Sequence, residues 1–247
     1  MGYRRLKVIS KWGTGIDSID LEAATKRGIP VRNTPNAFSE PVADTVMGYI
    51  LLFARQFTLM DRDIRNGFWR KPQSVSLRER TLGVVGVGNC GKAVVHRAIA
   101  FGIRILGNDI VDMPPDFLSS TGIQMVCFET LLQEADFISL NLTLNPTSYH
   151  LINEKRLALM KPTAYIINTS RGPVIDEVAL ARALESRQIA GAALDVFEVE
   201  PLPQDSLLRG LDNCWLAPHN ANSSPLAAQR VHKNTIRNLL EELSSRQ

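Results

Sequence analysis

The chain holds 247 residues, enough for one large domain or two modest ones. Hydrophobic residues make up 45% and charged residues 21%, so a packed core can offset the ordering entropy, and disorder is excluded for most of the length. The 28 basic and 25 acidic residues leave a net charge of +3, too small and too evenly spread for a nucleic-acid surface.

Cys90, Cys127 and Cys214 lie far apart, without Cys-x-x-Cys or His-x-x-x-His spacing. Neither a metal site nor a disulfide framework is expected, and three reduced thiols suit a cytoplasmic protein. The longest apolar run, residues 46–54, falls well short of the ~20 residues that cross a membrane. The opening Met1-Gly2-Tyr3-Arg4-Arg5 is not followed by an apolar region long enough for a secretory leader.

In chain order, short apolar runs alternate with helical stretches, the pattern of βαβ units around a parallel sheet covered on both faces. Buried strands are expected at 6–9, 30–32, 82–85, 103–106, 137–142, 165–167, 192–194 and 215–217, with a weaker one at 124–127. One long helix is expected over 42–66, opening after Ser39-Glu40-Pro41, where proline suits the first turn, and ending at Gly67-Phe68-Trp69. Residues 70–80 are polar, contain Pro72 and read as a loop. A helix over Pro225–Ser244 closes the chain.

Directly after the strand at 82–85 comes Gly86-Val87-Gly88-Asn89-Cys90-Gly91, a Gly-x-Gly-x-x-Gly turn. Gly86 permits the tight turn, Gly88 lets the backbone approach a pyrophosphate, and Gly91 allows close helix–strand packing. The following helix carries Val94, Ala98 and Phe101 on one face, and its N-terminal N–H groups, from Asn89 and Cys90 onward, suit an anion. The next strand ends at Asp109, 18 residues after Gly91, where a carboxylate accepts hydrogen bonds from a ribose. Asp109 repels a 2′-phosphate, and residues 110–115 offer no cation, so NAD is expected rather than NADP.

Three strand ends in the second half carry polar residues that a core does not need. Asn168-Thr169-Ser170-Arg171-Gly172 follows one strand, Asp195 and Glu200 follow the next, and His219 follows the last. Ligands of open α/β sheets bind outside the carboxyl ends of strands, so these residues are expected in one crevice. Arg171 suits a bidentate grip on a carboxylate. His219 suits proton transfer, with a neighbouring carboxylate fixing the ring and favouring its charged form. With NAD, this is equipment for interconverting a 2-hydroxy acid and a 2-oxo acid.

The stretches at 7–20 (KVISKWGTGIDSID), 28–35 (GIPVRNTP), 83–91, 168–176 (NTSRGPVID) and 191–201 (GAALDVFEVEP), with Pro218-His219, resemble the D-isomer-specific 2-hydroxyacid dehydrogenase family in order and spacing. The resemblance implies a Rossmann doubly wound parallel sheet over 40–220, and a truncated flavodoxin-like substrate domain formed by 1–39 and 221–247. It implies Arg171, Glu200 and His219 as the catalytic set and Asp195 at the nicotinamide carboxamide. Thr169 and Ser170 stand beside the cofactor, and the backbone at Thr14 and Gly15 binds the substrate carboxylate. Arg171 would anchor the carboxylate and 2-oxygen, while His219, supported by Glu200, would move the hydroxyl proton. The family's pattern resembles most closely its phosphoglycerate and hydroxypyruvate members. The apolar helix at 46–54, with Phe57, Phe68 and Trp69, corresponds to an arm that crosses a two-fold axis, so a homodimer is expected.

Several positions depart from the family. Its members begin with more strands and helices before the segment matching 7–20, and those carry substrate-selecting side chains. Phe38 stands where many relatives have Asn, and Asn141 and Thr143 replace a common His and Pro. The alternatives are an NAD(H)-responsive corepressor-like binding protein and a catalytically silent shortened member. His96, His150 and His232 read as side chains without partners, and Cys90 as a small packing residue.

Overall fold

The computed structural model describes residues 6–245. The opening pentapeptide, on which the leader expectation rests, lies outside the described residues. The first half runs β1 (Ile9–Ser10), α1 (Leu21–Lys26), β2 (Val31–Arg32), α2 (Ser39–Arg55), α3 (Phe57–Arg65), β3 (Thr81–Val85), α4 (Asn89–Ile99), β4 (Arg104–Asn108) and α5 (Pro115–Thr121). There follow β5 (Gln124–Met125), α6 (Phe128–Glu134), β6 (Phe137–Leu140), α7 (Glu154–Leu157), β7 (Tyr165–Asn168), α8 (Glu177–Glu185), β8 (Gly191–Leu194), β9 (Cys214–Leu216) and α9 (Pro225–Ser244). The chain divides into two compact units, one of residues 6–41 with 222–245 and the other Val42–Ala221.

In the larger unit seven strands form one parallel sheet in the order β5-β4-β3-β6-β7-β8-β9. The chain winds outward from β3 to β5, returns to β6, and winds outward again to β9. This is the doubly wound architecture, with its switch point between β3 and β6. Alternate strand residues enter opposite cores. Ile166 and Ala192 join Leu131, Ile152, Leu180 and Leu184 on one face. Ile167 and Ala193 join Ile50, Phe53, Val94 and Ile105 on the other. With both faces apolar, the strands read as continuous hydrophobic runs.

In the smaller unit β1 and β2 pair in parallel, Ile9 opposite Val31. The Ser224 side chain accepts the Ala227 N–H, and Pro225 occupies the first turn of α9, a start built from a capping hydroxyl and a residue with no N–H to satisfy. Ser10 Oγ donates to Thr235 O at 2.8 Å and Asn238 Nδ2 to Asn33 O at 2.9 Å. Ala227 and Val231 are the buried residues of α9.

Some elements differ from the sequence reading. The first strand is Ile9–Ser10 rather than 6–9, and most other strands shift by one or two residues at an end. The single helix expected over 42–66 is two helices, broken at Gln56, whose φ is 53°. The strap at 74–75 explains the break. Val75 N–H donates to Ala54 O at 3.0 Å and Ser74 Oγ to Arg55 O at 3.2 Å, so these carbonyls are taken from outside the helix. Phe101 does not share the buried face of Val94 and Ala98, because α4 ends at Ile99 and Phe101 is half exposed.

Two of the histidines expected to lack partners have them. His150 Nε2 meets Glu198 Oε1 at 2.9 Å. Trp12 Nε1 donates to His232 Nδ1 at 3.0 Å. The third, His96, meets the Phe117 ring edge-on.

Candidate active site

The glycine turn joins β3 to α4 at the switch point. A Cβ on Gly91 would lie 2.0 Å from Gly86 O, and one on Gly86 2.7 Å from Asn141 O, so backbone packs against backbone at both positions. Around Gly88 nothing lies within 4 Å of such a Cβ. Gly88 caps α4 without a side-chain bond, so the helix opens on main-chain N–H groups, the kind of helix start that suits an anion. Asp109 Oδ2 accepts the Val87 N–H at 2.6 Å and Oδ1 the Val111 N–H at 3.0 Å. The end of β4 is thus tied to the turn, with carboxylate lone pairs left over.

Three adjacent strand ends carry the remaining residues. After β7, Asn168 organises the loop. Its Oδ1 accepts from Ser170 N and Oγ at 3.0 and 2.8 Å, and its Nδ2 donates to Arg171 O at 2.9 Å. The Ser170 hydroxyl therefore serves the loop. Arg171 Nη1 donates to Ser170 O at 2.7 Å. Thr169 Oγ1 is buried and meets no partner within the protein.

After β8, Asp195 is 1% exposed. Its carboxylate accepts the N–H groups of Asn220 and Ala221, both at 2.8 Å, while its carbonyl accepts the His219 N–H at 2.8 Å. Burial raises its carboxyl above the ordinary range; the Ala221 and Asn220 N–H groups and the His219 charge oppose that, and the Glu200 charge adds to it. Tyr49, absent from the sequence reading, lies near enough to feel its charge. Burial first, then the Asp195 charge, push that phenol up.

Glu200 and His219 meet directly, Oε2 to Nδ1 at 2.8 Å. Glu200 Oε1 accepts the Phe197 N–H at 3.0 Å, so each oxygen has a defined donor. His219 sits at φ 53°, in the left-handed region. This backbone, pinned by Asp195, turns the ring toward Glu200. A cavity of about 550 Å³ opens beside the pair, lined by Phe197, Pro201, Leu202, Arg209, Leu216 and Pro218 among others. Arg209 binds Pro203 O and Leu202 O at 2.8 and 2.7 Å and so holds the chain beyond Glu200.

The Arg171 and Glu200 loops touch through Gly172, where a Cβ would lie 1.9 Å from both C and O of Phe197. The structure therefore joins Asp195, Glu200 and His219 by hydrogen bonds, and packs the loop after Arg171 on the loop before Glu200 at Gly172. Thr14 and Gly15 belong to the smaller unit. There Thr14 Oγ1 donates to Thr34 O at 3.2 Å and Asn33 Nδ2 to Thr14 O at 2.6 Å. Phe38 is buried against Trp12, their ring centroids 5.4 Å apart.

The glycine cradle, the open space at Gly88 and the orphaned Thr169 hydroxyl fit a dinucleotide. Gly88→Ala is the sharpest check. Its added methyl meets no protein atom, so thermal stability is expected to stay unchanged while NADH affinity falls at least about tenfold, the cost of losing close backbone approach. Calorimetric titration beside a melting curve reads both. Undiminished NADH affinity would contradict a pyrophosphate seat at this turn.

Fold and site together define a nicotinamide-dependent oxidoreductase. The chain belongs to the D-isomer specific 2-hydroxyacid dehydrogenases, whose NAD binding domain matches residues 47–221. It is an NAD-dependent enzyme acting on the CH–OH group of 2-hydroxy acids. It is 42% identical over 242 residues to a glyoxylate reductase of Korarchaeum cryptofilum, covering 96% of this chain and 73% of that protein. It is 43% identical over 223 residues to a D-3-phosphoglycerate dehydrogenase of Methanocaldococcus jannaschii, covering 89% of this chain and 42% of that one. In structure it resembles the D-lactate dehydrogenase of Aquifex aeolicus complexed with NAD and lactic acid. That likeness has a TM-score of 0.90 at 30% identity and covers 98% of this chain and 80% of that one. Among the described residues no helix is long and apolar enough to cross a membrane.

Proposed function

We propose that the enzyme reduces a small 2-oxo acid to the D-2-hydroxy acid, and reverses the reaction, with Arg171, Glu200 and His219 as its catalytic set. The observation that carries this reading is the Glu200–His219 pair, 2.8 Å apart at the ends of adjacent parallel strands. Arg171 takes the substrate carboxylate in a two-pronged grip and polarises the 2-oxygen. Glu200 fixes the proton of His219 on Nδ1, leaving Nε2 to face the substrate oxygen. In reduction the imidazolium gives its Nε2 proton to that oxygen; in oxidation the neutral ring takes it back. The cofactor, when bound, would give a hydride to C2 as NADH or take one from it as NAD+. Asn89, Cys90, Thr169, Ser170 and Asp195 line the seat of the cofactor, with Asp109 at its ribose.

The relatives named for glyoxylate, phosphoglycerate, hydroxypyruvate and lactate define the substrate panel: glyoxylate, hydroxypyruvate, pyruvate and phosphohydroxypyruvate, with NADH oxidation followed. Glyoxylate or hydroxypyruvate is the expected substrate. Silence with all four, NADH being bound, would sink the catalytic reading and favour a binding protein that reports NAD(H). Direct titration is expected to show NADH binding at least about tenfold tighter than NADPH, because the Asp109 carboxylate repels a 2′-phosphate. Equal affinities would remove Asp109 from the ribose.

The exposed apolar side chains Phe57, Ile64, Phe68 and Trp69 on and after α3 support a homodimer in which this segment meets a second copy. The three cysteines, none in a disulfide, suit the cytoplasm.

A further inference from the structure

The loop that carries Glu200 is held by a second histidine–carboxylate pair that the proton transfer does not use. His150 Nε2 lies 2.9 Å from Glu198 Oε1. The same oxygen accepts the Glu177 N–H at 3.1 Å, and the Glu198 N–H returns a bond to Glu177 Oε2 at 3.1 Å. The first turn of α8 and the loop after β8 are clasped from both sides.

His150 makes another tie through its backbone. Its N–H donates to Pro173 O at 2.8 Å, two residues beyond Arg171, while its ring reaches Glu198, two residues before Glu200. One residue therefore connects the loops of Arg171 and Glu200. Its φ of 47° lies in the left-handed region, where His, Asn and Asp are enriched over other side chains. The ring also stacks on Tyr149, centroids 4.1 Å apart. With ring face, ring nitrogen and main-chain N–H all engaged, His150 is a fixed post. The corner needs one. Burial raises the Glu177 carboxyl, the Glu198 N–H opposes that, and the Glu198 charge adds to it. A donor from His150 lets the two carboxylates stand side by side.

We propose that His150, acting through Glu198 and Glu177, is a positioning residue that holds Glu200 against His219 and keeps the Arg171 loop in place. This rests on the reading of Glu200 and His219 as the acid–base pair.

The test compares the full chain with its His150→Ala, His150→Gln and His219→Ala variants. Three quantities are read: the neutral tautomer of His219 from its imidazole ¹⁵N shifts, NADH affinity, and kcat and KM for glyoxylate. The partner of one ring nitrogen sets which nitrogen carries the proton, so Glu200 in place keeps it on Nδ1. His150→Ala is expected to move His219 toward the Nε2–H tautomer and to lower kcat about tenfold, with NADH affinity unchanged. His150→Gln, whose amide still donates to Glu198, is expected to restore both; Gln56 at φ 53° shows glutamine at such a backbone angle in this chain. An unchanged His219 tautomer in His150→Ala overturns the proposal, whatever happens to thermal stability. Equal losses in the alanine and glutamine variants overturn it too. Turnover retained by His219→Ala would instead overturn the acid–base reading, a separate result that the tautomer measurement does not depend on.

Discussion

His219→Ala is expected to lower kcat for 2-oxo acid reduction by about 10²–10⁴-fold, the range of a lost general acid, while NADH affinity stays within about twofold. The split follows from what the side chain touches. Its ring bond goes to Glu200 Oε2, whereas the bonds that shape the Asp195 corner come from main-chain N–H groups that alanine keeps. The backbone at φ 53° adds a complication, since alanine tolerates the left-handed region less well. His219→Asn is the matched control: asparagine accepts that backbone and cannot move the proton. Both variants should fail alike in turnover and bind NADH alike. A panel of 2-oxo acids reduced at wild-type rates by either variant would refute the acid–base role.

Gly172→Ala is the second large effect, and it acts through packing alone. The new Cβ would lie 1.9 Å from C and O of Phe197 and 2.4 Å from Glu198 N, all main-chain atoms with no flexible end to swing away. The Arg171 and Glu200 loops must then separate. Overpacking of this kind costs about 1–3 kcal/mol or more. In a chain of this size each kcal/mol lowers Tm by about 2–4 °C, so a fall of about 2–12 °C is expected. Turnover is expected to fall at least about a hundredfold, because a displacement near 1 Å is enough for that. Melting curves and steady-state kinetics check both numbers, with Gly88→Ala as the glycine variant that leaves stability alone. A Gly172→Ala protein with wild-type Tm would show that the two loops do not meet as described.

Some features were legible because their signals are local. A Gly-x-Gly-x-x-Gly turn between an apolar strand and a helix, followed by Asp109, reads directly as a dinucleotide seat, since each glycine answers a short-range steric demand. The α9 boundaries were legible too, because Ser224 and Pro225 are start signals carried by their own side chains. The break at Gln56 had no such mark. Apolar periodicity runs through it, neither Gly nor Pro interrupts, and the cause lies about 20 residues away in the strap that takes the last carbonyls of α2. Strand ends shifted for a similar reason: pairing ends where a neighbour ends, and no residue encodes its neighbour's length.

The proposed catalytic residues show the same division. Arg171, Glu200 and His219 were singled out as candidates by residue type, by position at strand ends and by the family resemblance. The Glu198 clasp was not, for Glu198 beside Glu200 looks like any solvated acidic loop until α8 and His150 close on it. Sequence by itself determined the alternating order of elements, the glycine turn and the chemical types available at each strand end, because backbone sterics and hydrophobic periodicity act over a few residues. Only the tertiary structure decided which carboxylate each histidine meets. His219 takes Glu200 and His150 takes Glu198, 19 and 48 residues apart, through contacts that exist only once parallel strands bring their ends together.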